Sequence, residues 1–293
     1  MREAVRPRRR KLDVVVISDV HLGTYGCHAT ELLRYLKSVR PKVLVLNGDI
    51  VDIWQFSKNY WPAAHMRVVR HLAGLAAKGT HIHYLTGNHD ELLRKFAGTR
   101  LGNLRIDNKL VLELADGKAW FFHGDVFDVT MQHSRWLAKL GAHGYDLLIV
   151  LNRVVNFLLH KLGRPRVALS KAVKDRVKGA VSLIGNFEQT AAGIAAEGGY
   201  HYVVCGHIHQ PEIKSLTTPH GAVTYLNSGD WVENLTALEY SGATGWQLYR
   251  YAADAAMQQP AAAADAADQA ADAPVAALLS ELLAEFQLNR RAE

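Results

Sequence analysis

Asn47-Gly48-Asp49-Ile50-Val51-Asp52 follows a short apolar run, Val43 to Leu46. The run reads as a buried strand, and a carboxylate at the exit of such a strand points into a cleft beside the sheet. Asp49 then needs partners. Four further segments offer a His, Asp or Asn beside a small residue or at a strand end: Asp19-Val20-His21, Asn88-His89-Asp90, His123-Gly124-Asp125 and His207-Ile208-His209.

Working outward, Leu12 to Ser18 reads as a β-branched strand. Gly23 and Gly26 turn the chain away before a helical pattern at Ala29 to Val39, closed by Pro41. Ala63 to Lys78 is helical in pattern, His81 to Thr86 is a third strand, and Glu91 to Ala97 is a short helix. Short strands follow at Leu104 to Ile106, Leu110 to Leu114 and Ala119 to Phe122, with Asp116-Gly117 as a hairpin signal. Strand rhythm resumes at His201 to Cys205, Ile213 to Leu216, Val223 to Asn227, Leu235 to Glu239 and Gln247 to Tyr251. This alternation predicts an α/β fold over residues 12–251, a four-layer α/β/β/α sandwich of two mixed sheets. The aromatics Trp54, Phe56, Tyr60 and Trp61 fall near the cleft rim or pack in the core.

Residues 131 to about 196 break the strand rhythm and read as a helical insertion. Within 131–180 there are ten basic side chains against two acidic ones, Asp146 and Asp175. Ile149, Leu151, Val154, Val155, Leu158, Leu159 and Leu162 cover most of one helix, so it must be covered in turn. It is either the core of a helical subdomain or a lid whose apolar wall receives a greasy substrate. In the second case Arg164, Arg166, Lys171 and Lys174 are the candidates to meet its phosphates. Ala252 to Pro274 reads as a low-complexity linker, and residues 275–293 as a C-terminal amphipathic helix.

The 293 residues carry a net charge of +6, which suits anionic partners such as phosphates or acidic headgroups. Residues 1–11 form a basic arm, either a solvated tail or a segment attracted to an anionic membrane surface. Two cysteines, Cys27 and Cys205, fit a reducing compartment as small hydrophobes. The apolar run after the arm is too short for a signal peptide, and the run at Leu147 to Leu162 is too polar to span a bilayer. A cytoplasmic protein is expected, with contact at the inner face of the membrane left open.

Asp19 and His21 are one residue apart, so at an extended strand end both would face the same side and hold one ion. His207 and His209 repeat the spacing. With Asp49 shared, and Asn88 and His123 added, seven ligands serve two divalent ions. Oxygen and nitrogen donors without thiolate favour Mn²⁺, Fe²⁺ or Zn²⁺. Two such ions roughly 3.5–4 Å apart would acidify a water and clamp phosphoryl oxygens during in-line displacement. The expectation is a hydrolase of phosphate esters or anhydrides. A lone Asp-x-His is as readily structural; five motifs at successive strand exits are not.

The ordered set resembles the calcineurin-like metallophosphoesterase family, with its D-x-H, G-D-x-x-D, G-N-H-D/E, H-G and G-H-x-H pattern, over residues 12–251. The resemblance implies Asp19, His21, Asp49 and His209 at one metal, and Asp49, Asn88, His123 and His207 at the other. It implies His89 as leaving-group acid or charge stabiliser, oriented by Asp52. The S-D-x-H-L start, the H-G-D segment and the basic insertion look like the UDP-2,3-diacylglucosamine pyrophosphatase branch, which releases UMP and an acylated sugar 1-phosphate in lipid A synthesis. That branch carries Arg where this chain has His89, and the segment Gly23-Thr24-Tyr25-Gly26-Cys27 differs from its loop. Two other readings stand beside an acylated nucleotide-sugar hydrolase. One is a phosphodiesterase of another lipid, nucleotide or nucleic acid; the last is disfavoured because only Tyr145 and Phe157 are aromatic between Leu137 and Lys178. The other is a non-catalytic scaffold, which would have lost ligands, and none is lost here.

Overall fold

The computed structural model describes residues 9–53, 60–129 and 187–258. Its seven-stranded sheet runs β12-β11-β1-β2-β3-β5-β4 and its five-stranded sheet runs β6-β7-β8-β10-β9. In the first, β1 (Arg10–Ile17), β2 (Val39–Asn47), β3 (His81–Leu85) and β5 (Leu104–Asp107) are parallel. β11 (Thr236–Ser241), β12 (Gly245–Arg250) and β4 (Arg100–Leu101) close the sheet with antiparallel pairs. In the second, β7 (Gly117–Phe122), β8 (Tyr202–Cys205) and β10 (Gly221–Asn227) are parallel, with β6 (Lys109–Leu114) and β9 (Glu212–Thr218) antiparallel at the edges. Both sheets are mixed, as the sequence predicts.

Strand alternation builds the layers. Along β1, Val14 and Val16 face the second sheet, while Val15 and Ile17 face the helices. Phe121, Val204 and Leu226 meet Val14, Val16 and Val45 between the sheets. On the outer face of the first sheet lie α1 (Ala29–Ser38) and α2 (Ala63–Ala77), buried through Leu32, Leu36, Val68 and Leu75. On the outer face of the second lies α3, residues 187–197, through Phe187, Ala191, Ala192 and Ala195. These are the four layers of an α/β/β/α sandwich.

Several local expectations are corrected. α1 ends at Ser38, and Val39 and Arg40 already pair with Arg10 and Lys11, because a residue before proline disfavours the helical region and Pro41 fits an extended strand. The short helix expected at Glu91 to Ala97 is present as a 3-10 helix, Glu91–Phe96. The linker expected from Ala252 begins with ordered chain: a 3-10 turn at Tyr251–Ala253 leads to a short helix, Ala255–Gln258, whose Met257 joins the buried cluster around Tyr249 and Tyr251. The insertion at 131–186, the C-terminal segment 275–293 and Trp54 and Phe56 lie outside the described residues. No helix among the described residues is long and apolar enough to cross a membrane.

The inter-sheet layer is where deletion should be felt most. Leu226→Ala, at a fully buried position, is expected to lower unfolding free energy by about 2–5 kcal/mol. Urea titration of the metal-free protein should show an earlier midpoint with unchanged slope.

Candidate metal centre

Every motif occupies the turn after a parallel strand: Asp19 and His21 after β1, Asp49 after β2, Asn88 and His89 after β3, His123 after β7, and His207 and His209 after β8. The backbone there departs from the extended form expected. Asp19, His21, Asp49, His207 and His209 all have φ between 51° and 67°, the left-handed region that side chains with a Cβ rarely enter. The two Asp/His-x-His pairs therefore converge through kinked turns rather than strand alternation. Close approach demands glycine beside them: a Cβ on Gly87 would lie inside contact distance of Asp49 Oδ1, and one on Gly48 inside the His123 ring.

Donor atoms of Asp19, His21 and His209 lie within 4.8 Å of one another, as do those of Asp49, His123 and His207, and those of His21, Asp49 and His89. The hydrogen bonding explains why such groups suit cations. His123 Nδ1 lies 2.8 Å from the Asn47 carbonyl, which only accepts, so that nitrogen carries the hydrogen. In the neutral ring, Nε2 then presents a lone pair to Asp49 Oδ2 at 3.2 Å. Two acceptors face each other, and Nε2 makes no well-angled hydrogen bond. Asp19 Oδ1, 3.1 Å from His209 Nε2, and Asn88 Oδ1 are likewise buried without a hydrogen-bond partner. Buried polar atoms are rarely left so. Divalent cations held by these residues would satisfy such atoms, and the donor set fits.

Protonation tells the same story. Burial opposes charge on His123, but Asp49 and Asp19 outweigh it and push the ring up to about 10. Burial likewise opposes charge on His209, and Asp19 raises it to about 9. Asp19 and Asp49 are held low by these imidazoles against the opposing effect of burial. Among the described residues, the positive charge beside these carboxylates is that of protons they hold on the imidazoles.

Asp52 is buried and shared: its Oδ2 is 2.9 Å from His89 Nδ1 and 3.3 Å from His21 Nδ1. It thereby aims both rings by their Nε2 atoms. Burial works against protonation of His89, yet the bond to Asp52 and the charge of Asp49 leave its pKa raised. The structure thus brings together Asp19, His21, Asp49, Asp52, His89, His123, His207 and His209. Asn88 sits between Gly87 and His89, whose backbone N–H donates to Asp49 Oδ1 at 2.8 Å. Arg164, Arg166, Lys171 and Lys174 lie outside the described residues.

Two supports were not read from the sequence. Asp90 accepts from the Tyr84 hydroxyl and from the backbone N–H groups of Ile50 and Gly87, tying the second motif to the third. The turn Asn227-Ser228-Gly229-Asp230 after β10 backs the centre: Ser228 meets Ser18, and Asp230 caps the backbone at Val232 to Asn234. The available signal was its position, a Gly-Asp pair leaving an apolar strand. An open groove of about 1120 Å³, with Lys11, Arg40, Lys42 and Lys78 on its walls, is at the opposite, amino ends of β1 and β2.

The sequence profile of the calcineurin-like phosphoesterase family matches residues 12–211. The UDP-2,3-diacylglucosamine hydrolase of Aliivibrio fischeri is 23% identical, over 78% of this chain and 95% of its own. That of Pseudomonas aeruginosa is 26% identical, over 78% and 95%. Among solved structures, an archaeal phosphodiesterase is similar at 12% identity and a TM-score of 0.38, covering 81% of this chain and 98% of its own.

Imidazoles raised to about 9 and 10 are protonated at pH 7.5 and must lose that proton to ligate. Uptake of Mn²⁺ at pH 7.5 should therefore release about two protons, measured by calorimetry in buffers of different ionisation enthalpy, and affinity should weaken as pH falls. Gly87→Ala should keep the circular-dichroism spectrum but lose most bound metal by elemental analysis, since the added methyl displaces Asp49.

Proposed function

This chain belongs to the calcineurin-like phosphoesterase family and is a metal-dependent phosphohydrolase, and from that premise we propose that it cleaves the diphosphate of UDP-2,3-diacylglucosamine to UMP and 2,3-diacylglucosamine 1-phosphate in lipid A synthesis. The phosphohydrolase chemistry rests on one observation above all: Asp49 is shared by two donor clusters, one with His123 and His207 and one with His21 and the Asp52-held ring of His89. The substrate is supported by the names of relatives that the match covers almost end to end.

Asp19, His21, Asp49 and His209 would hold one divalent cation, and Asp49, Asn88, His123 and His207 the other. Mn²⁺ is the ion proposed, with Fe²⁺ and Zn²⁺ suiting the same donors. Bound there, such ions supply positive charge against phosphoryl oxygens and lower the pKa of water. The chain's own contribution centres on His89. Asp52 fixes its Nδ1, so Nε2 can present a proton to charge developing on the phosphoryl or leaving oxygen. Asp52 also holds His21, so it orients a ligand and the acid together. Arg164, Arg166, Lys171 and Lys174 of the insertion are proposed to grip the diphosphate, in a cytoplasmic enzyme working at the inner membrane face.

Purified protein with Mn²⁺ and detergent should release UMP from UDP-2,3-diacylglucosamine. Asp49→Ala and His123→Ala should be inactive, and His89→Ala should lower kcat by about 10²–10⁴-fold. The acid form of His89 exists below its pKa, which Asp52 raises, so activity should fall on the alkaline side and Asp52→Asn should move that limb to lower pH. Turnover of bis(p-nitrophenyl) phosphate without UMP release would remove the lipid substrate and leave a phosphodiesterase of other specificity.

A further inference from the structure

The segment between His21 and α1 ends in an aromatic stack that the chemistry above does not use. Thr24 donates to the His21 carbonyl through its backbone N–H at 3.2 Å and its hydroxyl at 2.9 Å, so the chain reverses immediately after that motif. Leu22 bridges Val51, and the His28 N–H reaches the Trp231 carbonyl at 2.9 Å, so both ends of the loop are tied down. Between them Gly23 donates its N–H to His65 Nδ1 at 2.9 Å and packs under the ring of Trp61. His65, carried on α2, is buried, and burial depresses its pKa to about 4, so the ring is neutral and free to accept. Tyr60 stands edge-on to His65 at 6.0 Å and lies against Tyr25 with ring centroids 3.7 Å apart. Tyr25 ends the stack, and it is 80% exposed.

A scattered surface tyrosine needs no explanation, but this one, on the turn that follows His21, is backed ring by ring by Tyr60 and by His65 of α2. Its order is already established by the anchored loop, so a ligand stacking on it loses little further freedom. A flat ring face suits a planar partner; an acyl chain needs an enclosing groove. Nucleobases stack on such side chains with little dependence on identity.

We infer that Tyr25, backed by Tyr60, is the stacking platform for the base of a nucleotide whose phosphate lies at the metal centre. The inference rests on reading the substrate as a nucleoside diphosphate ester. It assigns a binding role to the loop Gly23-Thr24-Tyr25-Gly26-Cys27, and it makes Tyr25 a specificity residue rather than a catalytic one. His65 is a positioning residue behind it.

The test is competitive inhibition of bis(p-nitrophenyl) phosphate turnover by UMP and by ribose 5-phosphate, which share the phosphate and differ in the base. In the wild type UMP should inhibit about tenfold or more tightly than ribose 5-phosphate. Tyr25→Ala should abolish that difference by weakening UMP while leaving the ribose 5-phosphate inhibition constant within about threefold; Tyr25→Phe should restore it. Equal inhibition by the two compounds in the wild type, or a difference that survives in Tyr25→Ala, overturns the inference. Because the assay uses no lipid, a shift seen here with no UMP release from the acylated substrate would keep the platform and discard only the substrate.

Discussion

The centre depends on a backbone ladder that does not stop where the strands stop. Beyond β1 and β2, the N–H groups of Asp19, Val20, His21 and Leu22 continue to bond the carbonyls of Gly48, Asp49, Asp49 and Ile50 at 2.9–3.1 Å. The first and second motifs are therefore held in register by main chain, independent of any side chain. The second sheet is clamped onto this edge by side chains of the centre itself. The His207 N–H donates to Asp19 Oδ2 at 3.0 Å, and Ser18 meets Ser228 across the gap. Asn47 reaches toward the carbonyls of Phe122 and Val204.

This arrangement carries strain. A side chain with a Cβ held in the left-handed region costs roughly 1–3 kcal/mol, and five proposed ligands are held there. Their carboxylates are also buried, with atoms left unmatched or matched only by recruited protons. Cations that bind the folded chain and not the unfolded one offset both terms by mass action. The cost of the metal-free geometry is thus what pre-forms the site, since no turn has to rearrange when an ion arrives.

Much of this was legible because β-branched runs and polar exits are local signals. Val14 to Ile17, Val43 to Leu46 and Val203 to Cys205 declare strands of the core, and each is soon followed by its candidate ligands. The Asp116-Gly117 hairpin was equally plain, since β6 and β7 pair through to Leu114 and Gly117. What was not legible depends on long-range contacts. The left-handed turns at Asp19 and His207 are imposed by pairing with residues far along the chain. Asp90 looks like one more polar residue until Tyr84 and the Ile50 N–H are seen to converge on it. Composition marks Ala252 onward as linker; only tertiary packing of Met257 on Tyr251 extends the fold to Gln258.

Charge is distributed in a way that bears on the chemistry. The groove at the amino ends of β1 and β2 gathers Arg9, Lys11, Arg40, Lys42 and Lys78; among the described residues its one acidic neighbour, Asp13, is paired with Lys42 at 2.7 Å. Beside the centre, Arg94 pairs with Asp125, two residues past His123. The described part of the catalytic end is thus dominated by carboxylates and imidazoles, while these lysines and arginines stand a strand's length away, roughly 25 Å. Among the described residues, a phosphate group approaching the metal-free centre would meet the fields of Asp19 and Asp49, offset by the protons those carboxylates hold on His123 and His209. Metal occupancy would reverse that sign, so it would govern the binding of an anionic substrate as well as the chemical step.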